Sequence, residues 1–265
     1  MRVIYGLVIW VSLTPAVFAS SPQKSATPAD ALVHEARLLW NRGERKEAVE
    51  KVRQAVAIDP KPYALSRYLN AAIQAGNTEQ FALMVEAGAR VGKDNDEFLL
   101  YLVSQRERPT VEMVELLLAK GARLNQPVKY KSALMHAVSE GHLDIARLLL
   151  ARGEDVNTQT DEGTALMMAV RRGNPQMVQL LLDNGARVDV KHRSGNTPLI
   201  MSADLSFVEM NAKAGDAPPV SSADVMSLLL ASGADANAVG QYGRTALMEA
   251  SSVAKVKLLL ARGRR

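Results

Sequence analysis

Four histidines, His34, His136, His142 and His192, are the side chains best suited to bind a metal or carry a proton in this chain. A metal site needs three or four ligands converging on one point, and none of the four stands at ligand spacing from a second. His136 reads instead as a side chain on an exposed helix face and His192 as a loop-tip residue. Asp94-Asn95-Asp96-Glu97 offers the oxygen ligands calcium takes, but it lacks the glycine and the distant glutamate of an EF-hand loop. It precedes an expected helix, where acidic groups complement the dipole. Arg171 and Arg172 could hold a phosphate, yet an adjacent pair at a helix end reads first as a solvated face. No serine lies in a G-x-S-x-G turn and no glycine-rich phosphate loop is present. The absence of cysteine removes thiolate nucleophiles, thiolate metal sites and disulfides. No catalytic residue, cofactor or metal is expected. The chemistry left to the chain is noncovalent binding.

The elements that would position such a binding surface show in the composition. Hydrophobic residues make up 48% of the 265 positions, which argues against wholesale disorder, while aromatics reach only 5%. A core must then be filled with Ala, Leu, Val and Met, which suits closely packed helices. Residues 1–19 stand apart. Arg2 precedes an apolar run, Val3 to Leu13, that Thr14 and Pro15 break, and Val17-Phe18-Ala19 fits a small-residue cleavage site. That is the layout of a secretory signal peptide cleaved after Ala19, and the run is too short for a spanning helix. The expected location is a bacterial periplasm or the exterior. Residues 20–27 read as a flexible leader.

The rest of the chain is periodic. Five leucine triplets, beginning at Leu116, Leu148, Leu180, Leu228 and Leu258, are each followed by a glycine: Gly121, Gly153, Gly185, Gly233 and Gly263. Successive glycines are 32, 32, 48 and 30 residues apart. A second marker runs in phase: Ser132-Ala133-Leu134, Thr164-Ala165-Leu166, Thr197-Pro198-Leu199 and Thr245-Ala246-Leu247. Each Ser or Thr reads as a helix N-cap. In the best-formed unit a first helix is predicted over Ala165 to Arg172, ended by Gly173 and Asn174 as residues that tolerate a left-handed backbone. A second helix is predicted over Pro175 to Asn184, before Gly185. A helix pair of this size cannot bury its apolar face alone and must stack on copies of itself.

Gly141-His142 and the runs Leu148 to Asn157 and Leu229 to Asn237 resemble the ankyrin repeat, and the resemblance extends from Ala64 to the C-terminus. It implies an all-α solenoid of about six helix-pair repeats. These are Leu69 to Val91, Asp94 to Asn125, Ser132 to Asn157, Thr164 to Asp189, Thr197 to Asn237 and Thr245 to Arg265. The family's histidine in the first helix is replaced by Met135, Met167, Ile200 and Met248, of which Met167 and Met248 read as core by register. The fifth repeat carries an insertion near 204–222, and the sixth is shortened by three residues at the same junction. Ala36, Leu39, Gly43, Ala48, Val52, Ala55 and Pro60 have the spacing of a tetratricopeptide hairpin. Residues 28–62 are therefore expected to form a helical N-terminal cap on an ankyrin repeat domain spanning 63–265.

The resemblance also implies where partners bind, namely the loop tips and the concave side of the first helices. Carried over, the tips are Lys129, Tyr130 and Lys131; Asp161 and Glu162; His192 and Arg193; and Gln241 and Tyr242. The concave positions are His136, Ser139, Glu140, Met168, Arg171, Arg172 and Glu249, and Met201 is also placed on the inner face. The expected partner is another protein, not nucleic acid, engaged by a monomer without stable membrane insertion after cleavage. The expected role is an adaptor or regulator, with an immunity-type inhibitor of a secreted toxin as the alternative and an enzyme with an unrecognised site as the remote one. Lys255, Lys257, Arg262, Arg264 and Arg265 cluster without an acid, so the basic balance of the chain (+4) belongs to one end and reads as a solubilising surface.

Overall fold

A computed structural model describes residues 27–60, 63–89, 99, 102–103, 109–125, 131–204 and 222–263. The signal-peptide segment, Asp94-Asn95-Asp96-Glu97, Lys129, Tyr130, most of the fifth-repeat insertion, Arg264 and Arg265 lie outside the described residues. Local capping sets the helix starts. Ser132, Thr164 and Thr197 each accept, through the side-chain oxygen, the N–H three residues on, as the repeat marker predicts, and Thr110 does the same at the start of a second helix, outside that marker. Thr245 is the exception and makes no such bond.

The N-terminal hairpin consists of α1 (Pro28–Asn41) and α2 (Arg45–Ile58), turning at Gly43 with φ +84°. Then come α3 (Tyr63–Gln74), α4 (Thr78–Glu86) and α5 (Val111–Ala119). Repeat three supplies α6 (Ala133–Glu140) and α7 (Leu143–Ala151), and repeat four α8 (Ala165–Arg172) and α9 (Pro175–Asp183). Repeat five supplies α10 (Pro198–Ala203) and α11 (Ser222–Ala231), and repeat six α12 (Ala246–Glu249) and α13 (Val253–Arg262). Among the described residues there are no strands, only isolated bridges at Thr160–Gly163 and Val239–Thr245.

Two layers result. The first helices α6, α8, α10 and α12 pack in succession, and α5, α7, α9, α11 and α13 pack in succession behind them. The hairpin enters the same order, α1 on α3 and α2 on α4. Ala36, Leu39, Ala48, Val52 and Ala55 are all buried, so the small residues predicted to allow close packing lie in the interface. One continuous core runs from Ala29 to Leu259.

The asparagine that closes each repeat staples it to the next. Asn125 Nδ2 donates to the Gly153 carbonyl at 2.9 Å, and its Oδ1 accepts from Asp155 N at 2.6 Å. Asn157 repeats this on Gly185 (3.0 Å) and Arg187 (2.9 Å). Asp189 occupies the next position. With no amide to donate, it makes only the accepting half, from Asp235 N at 3.2 Å.

Several expectations need correction. Asn174 is not left-handed (φ −99°). Only Gly173 ends α8 that way, while Asn174 caps α9 through Met177 N. Gly263 keeps φ −76°, unlike the four earlier triplet-following glycines. Met248 is 66% exposed and not core, because no further repeat covers α12 among the described residues, whereas Met167 is fully buried. Lys255 does not belong to a solvated basic surface. It is 1% exposed and fills the register position that Met113, Ile145, Met177 and Val225 fill in earlier repeats. Its Nζ donates to the Ala203 carbonyl at 3.0 Å, at the end of the short helix α10. A cation there complements the helix dipole and the carbonyls left over where α10 stops.

Candidate interaction surface

Among the described residues, the loop tips form a row held by hydrogen bonds within and between repeats. Thr160 and Gly163 exchange two backbone hydrogen bonds, each 3.0 Å, leaving Asp161 and Glu162 at the apex of a two-residue turn. Gly163 has φ +103°, and a Cβ there would lie 2.7 Å from Met167 Sδ and 3.2 Å from the His192 ring. The methionine that replaces the family's histidine thus packs directly under the tip glycine. Neighbouring tips are tied together. Gln159 Nε2 donates to the Lys191 carbonyl, Lys191 Nζ to the Val239 carbonyl, and Gln241 N to Asn196 Oδ1. Within its own tip, His192 Nδ1 stands 2.9 Å from Ser194 Oγ.

Behind the tips runs a charged floor. Lys131 pairs with Glu162 at 3.3 Å and Arg172 with Glu140 at 3.9 Å. Arg171 Nη2 donates to the Glu162 carbonyl at 2.8 Å. Arg171 divides this floor into two cavities. One, of about 240 Å³, lies toward Lys131 and Glu140; the other, of about 220 Å³, lies toward His192, Asn196 and Glu249. Burial is the main reason the Arg171 pKa is lowered; Glu162 opposes this and Arg193 adds to it. Burial likewise lowers His192, helped by Arg171 and Arg193. It also lowers His136, helped by Lys131 and opposed by Glu140 and Glu162. The two imidazoles are therefore biased toward the neutral form.

The structure brings together Lys131, His136, Glu162, Arg171, Arg172 and His192 on one face, with Asp161, Arg193, Gln241 and Tyr242 exposed along the tips. Tyr242 is 88% exposed at φ +55°, a left-handed conformation uncommon for a bulky residue. Met168 is removed from the accessible set. It is 5% exposed, its sulfur accepting from Ser139 Oγ of the neighbouring first helix α6, and Met201 is 4% exposed, each at the wall of one of the two cavities. His136 is half-buried, not exposed. His142 stands at the N-cap position of α7, but its imidazole makes no capping bond to that helix. Among the described residues no group of three or more His, Asp or Glu is arranged to hold a metal.

Two family models match the chain. One describes three copies of the ankyrin repeat over residues 69–160, and the other describes many copies over 150–202. The chain belongs to the ankyrin repeat family. No curated protein sequence matches it. Among solved structures it is similar to the ankyrin repeat domain of Bcl-3, a member of the IkappaB protein family, with a TM-score of 0.62 and 20% identity. The match covers 89% of this chain and 99% of that one. At that identity the likeness shows an ankyrin fold and no more. Among the described residues no helix is long and apolar enough to cross a membrane.

Two buried charges escaped the reading of the sequence. Lys255 is one. Glu154 is the other, standing where Ala122, Ala186 and Ala234 follow the glycine in other ankyrin repeats of the chain. Its Oε1 accepts from Leu134 N at 3.0 Å at the start of α6, and its Oε2 is buried with no hydrogen-bond partner. Laying the repeats over one another shows both, since each interrupts a column of apolar residues.

Proposed function

We propose that this chain is an exported ankyrin repeat protein that recognises another protein noncovalently in the periplasm, as an adaptor or regulator and not as an enzyme. The observation that carries the reading is the tied row of tips above a charged floor. Its backbone is fixed by inter-repeat hydrogen bonds before any partner arrives, so binding orders little and loses little entropy. Ankyrin repeats serve protein–protein interaction, which supports the partner class. The three-part layout of residues 1–19 supports export, and the stacking of α1 and α2 on α3 and α4 supports a hairpin that caps the solenoid.

Tyr242 is the anchor of this reading, because an exposed aromatic on a rigid tip is the type of residue that dominates interfaces. Capture of partners from periplasmic extract by the wild type, Tyr130→Ala and Tyr242→Ala, followed by mass spectrometry, tests it. A single partner recovered by the wild type and lost on substitution supports the surface. Recovery at full strength by both variants removes it.

A further inference from the structure

A larger hollow lies at the other end of the molecule. Between α1 and α3 runs a groove of about 620 Å³, against about 220 and 240 Å³ for the two cavities beside Arg171. It falls within the size range of ligand pockets. α1 contributes Asp30, His34 and Arg37 to its walls at helical spacing, and α3 contributes Arg67, Tyr68 and Gln74. Asp30 Oδ1 accepts from Ala64 N at 2.9 Å, which clamps the starts of the two helices together and fixes the two rows side by side.

The charges in this groove are unbalanced. Its lining carboxylate, Asp30, is spent internally, on Ala64 N and on the Thr27 backbone and hydroxyl. Those bonds hold its carboxyl below the usual range, the Ala64 bond foremost. The nearby ion pairs, Lys51–Glu35 and Arg45–Glu79, use carboxylates that do not line the groove. Arg37 and Arg67 are exposed, and among the described residues neither forms an ion pair. Guanidinium stays charged at any physiological pH. At the wall, the Tyr68 hydroxyl lies buried against Gln80 without a well-formed hydrogen bond, and burial raises its pKa, so Tyr68 brings no negative charge to the groove. Among the described residues, the groove is therefore lined by the cations Arg37 and Arg67 and the amides of Asn70 and Gln74, with no uncommitted carboxylate.

We propose that this groove binds an extended acidic segment of a partner protein, with Asp or Glu carboxylates of that segment taken by Arg37 and Arg67. The spacing fits. Adjacent helices lie ~8–10 Å apart. In an extended strand, side chains two residues apart share one face at ~7 Å, within the reach of two long arginines. Each carboxylate can accept two parallel N–H donors from one guanidinium. The site is separate from the tips and stands or falls without them.

The test uses the whole secreted-form chain and a labelled peptide of about ten residues, ~33 Å when extended. The peptide is acetylated and amidated at its ends, with Glu alternating with Ser and Leu. Fluorescence anisotropy is expected to show binding that a Gln-for-Glu twin lacks. Arg37→Gln and Arg67→Gln should each weaken it about tenfold, the loss ordinary for one charge-assisted pair. Arg187→Gln, an exposed arginine of the fourth repeat, should leave it unchanged. Circular dichroism of each variant confirms an intact fold. The proposal is overturned by no binding of the glutamate peptide, by equal binding of the glutamine twin, or by an equal loss in Arg187→Gln. Tighter capture of phosphatidylglycerol vesicles than of the peptide, lost in the same two arginine variants, would move the site to lipid and also overturn it.

Discussion

Repeats three and four and repeat six are built from nearly the same residues, yet the two regions behave differently. In repeat four, Leu166 and Met167 are sealed between neighbours on both sides. In repeat six, the equivalent Leu247 and Met248 are 42% and 66% exposed. The same Thr-Ala-Leu-Met sequence thus gives a core in one place and a surface in the other. The capping differs too, since Thr164 bonds Met167 N and Thr245 bonds no helix N–H. What the comparison teaches is that a solenoid residue takes its environment from the adjacent repeat, not from its own segment.

Substitutions break or sharpen this contrast. The largest effect is expected for Leu166→Ala, which should cost about 2–5 kcal/mol as a sealed leucine, while Leu247→Ala should cost under about 1 kcal/mol. Urea melts of the two variants decide this, and similar losses would contradict the environment argument. Gly163→Ala comes next. It meets both a positive φ and the sulfur of Met167, and should cost about 2–3 kcal/mol, against about 1 kcal/mol for Gly243→Ala, which has open space around it. Thermal melting checks the pair. Asn157→Ala should then cost about 1–2 kcal/mol by removing both halves of a staple. Faster hydrogen exchange at Arg187 N would mark the loss at its source.

The smallest effect is a pH dependence. Burial raises the Glu154 carboxyl pKa above its ordinary value of 4.5, against the opposing Leu134 and Ser132 hydrogen bonds. A group raised in the folded state contributes its stability below the unfolded value and loses it as pH rises through the folded value. Glu154→Gln should therefore gain up to about 1 kcal/mol over wild type near neutrality and nothing near pH 4. Melting temperatures across that range check it, and parallel curves would show that the carboxylate is tolerated in its ionised form.

Much of this architecture was legible in residue order. Ala165–Arg172 begins and ends where Thr164 and Gly173 predict, because capping and left-handed glycine are local effects. The shortened junction of repeat six is visible in its four-residue α12. Environment was not legible where it is set from outside the segment. Met168 packs against Ser139 of the preceding repeat, Met201 is buried as well, and Met248 lacks the cover that its register implies. The Arg37–Arg67 groove carries no motif, since it exists only once α1 and α3 lie side by side. Lys255 looked like one cation of a tail because its neighbours are basic, while its burial follows from a register position buried in every repeat, and its ammonium finds a partner in the Ala203 carbonyl at the end of α10.

The half-made staple at Asp189 has a mechanical consequence. Asn125 and Asn157 each join two repeats with a pair of bonds, whereas Asp189 joins the fourth to the fifth with one. Drawn out from its C-terminal end in an optical trap, the chain should shed repeats five and six as one block at lower force. The stiffer rod from the hairpin to repeat four should then yield at higher force, and Asp189→Asn should move the first rupture toward the second.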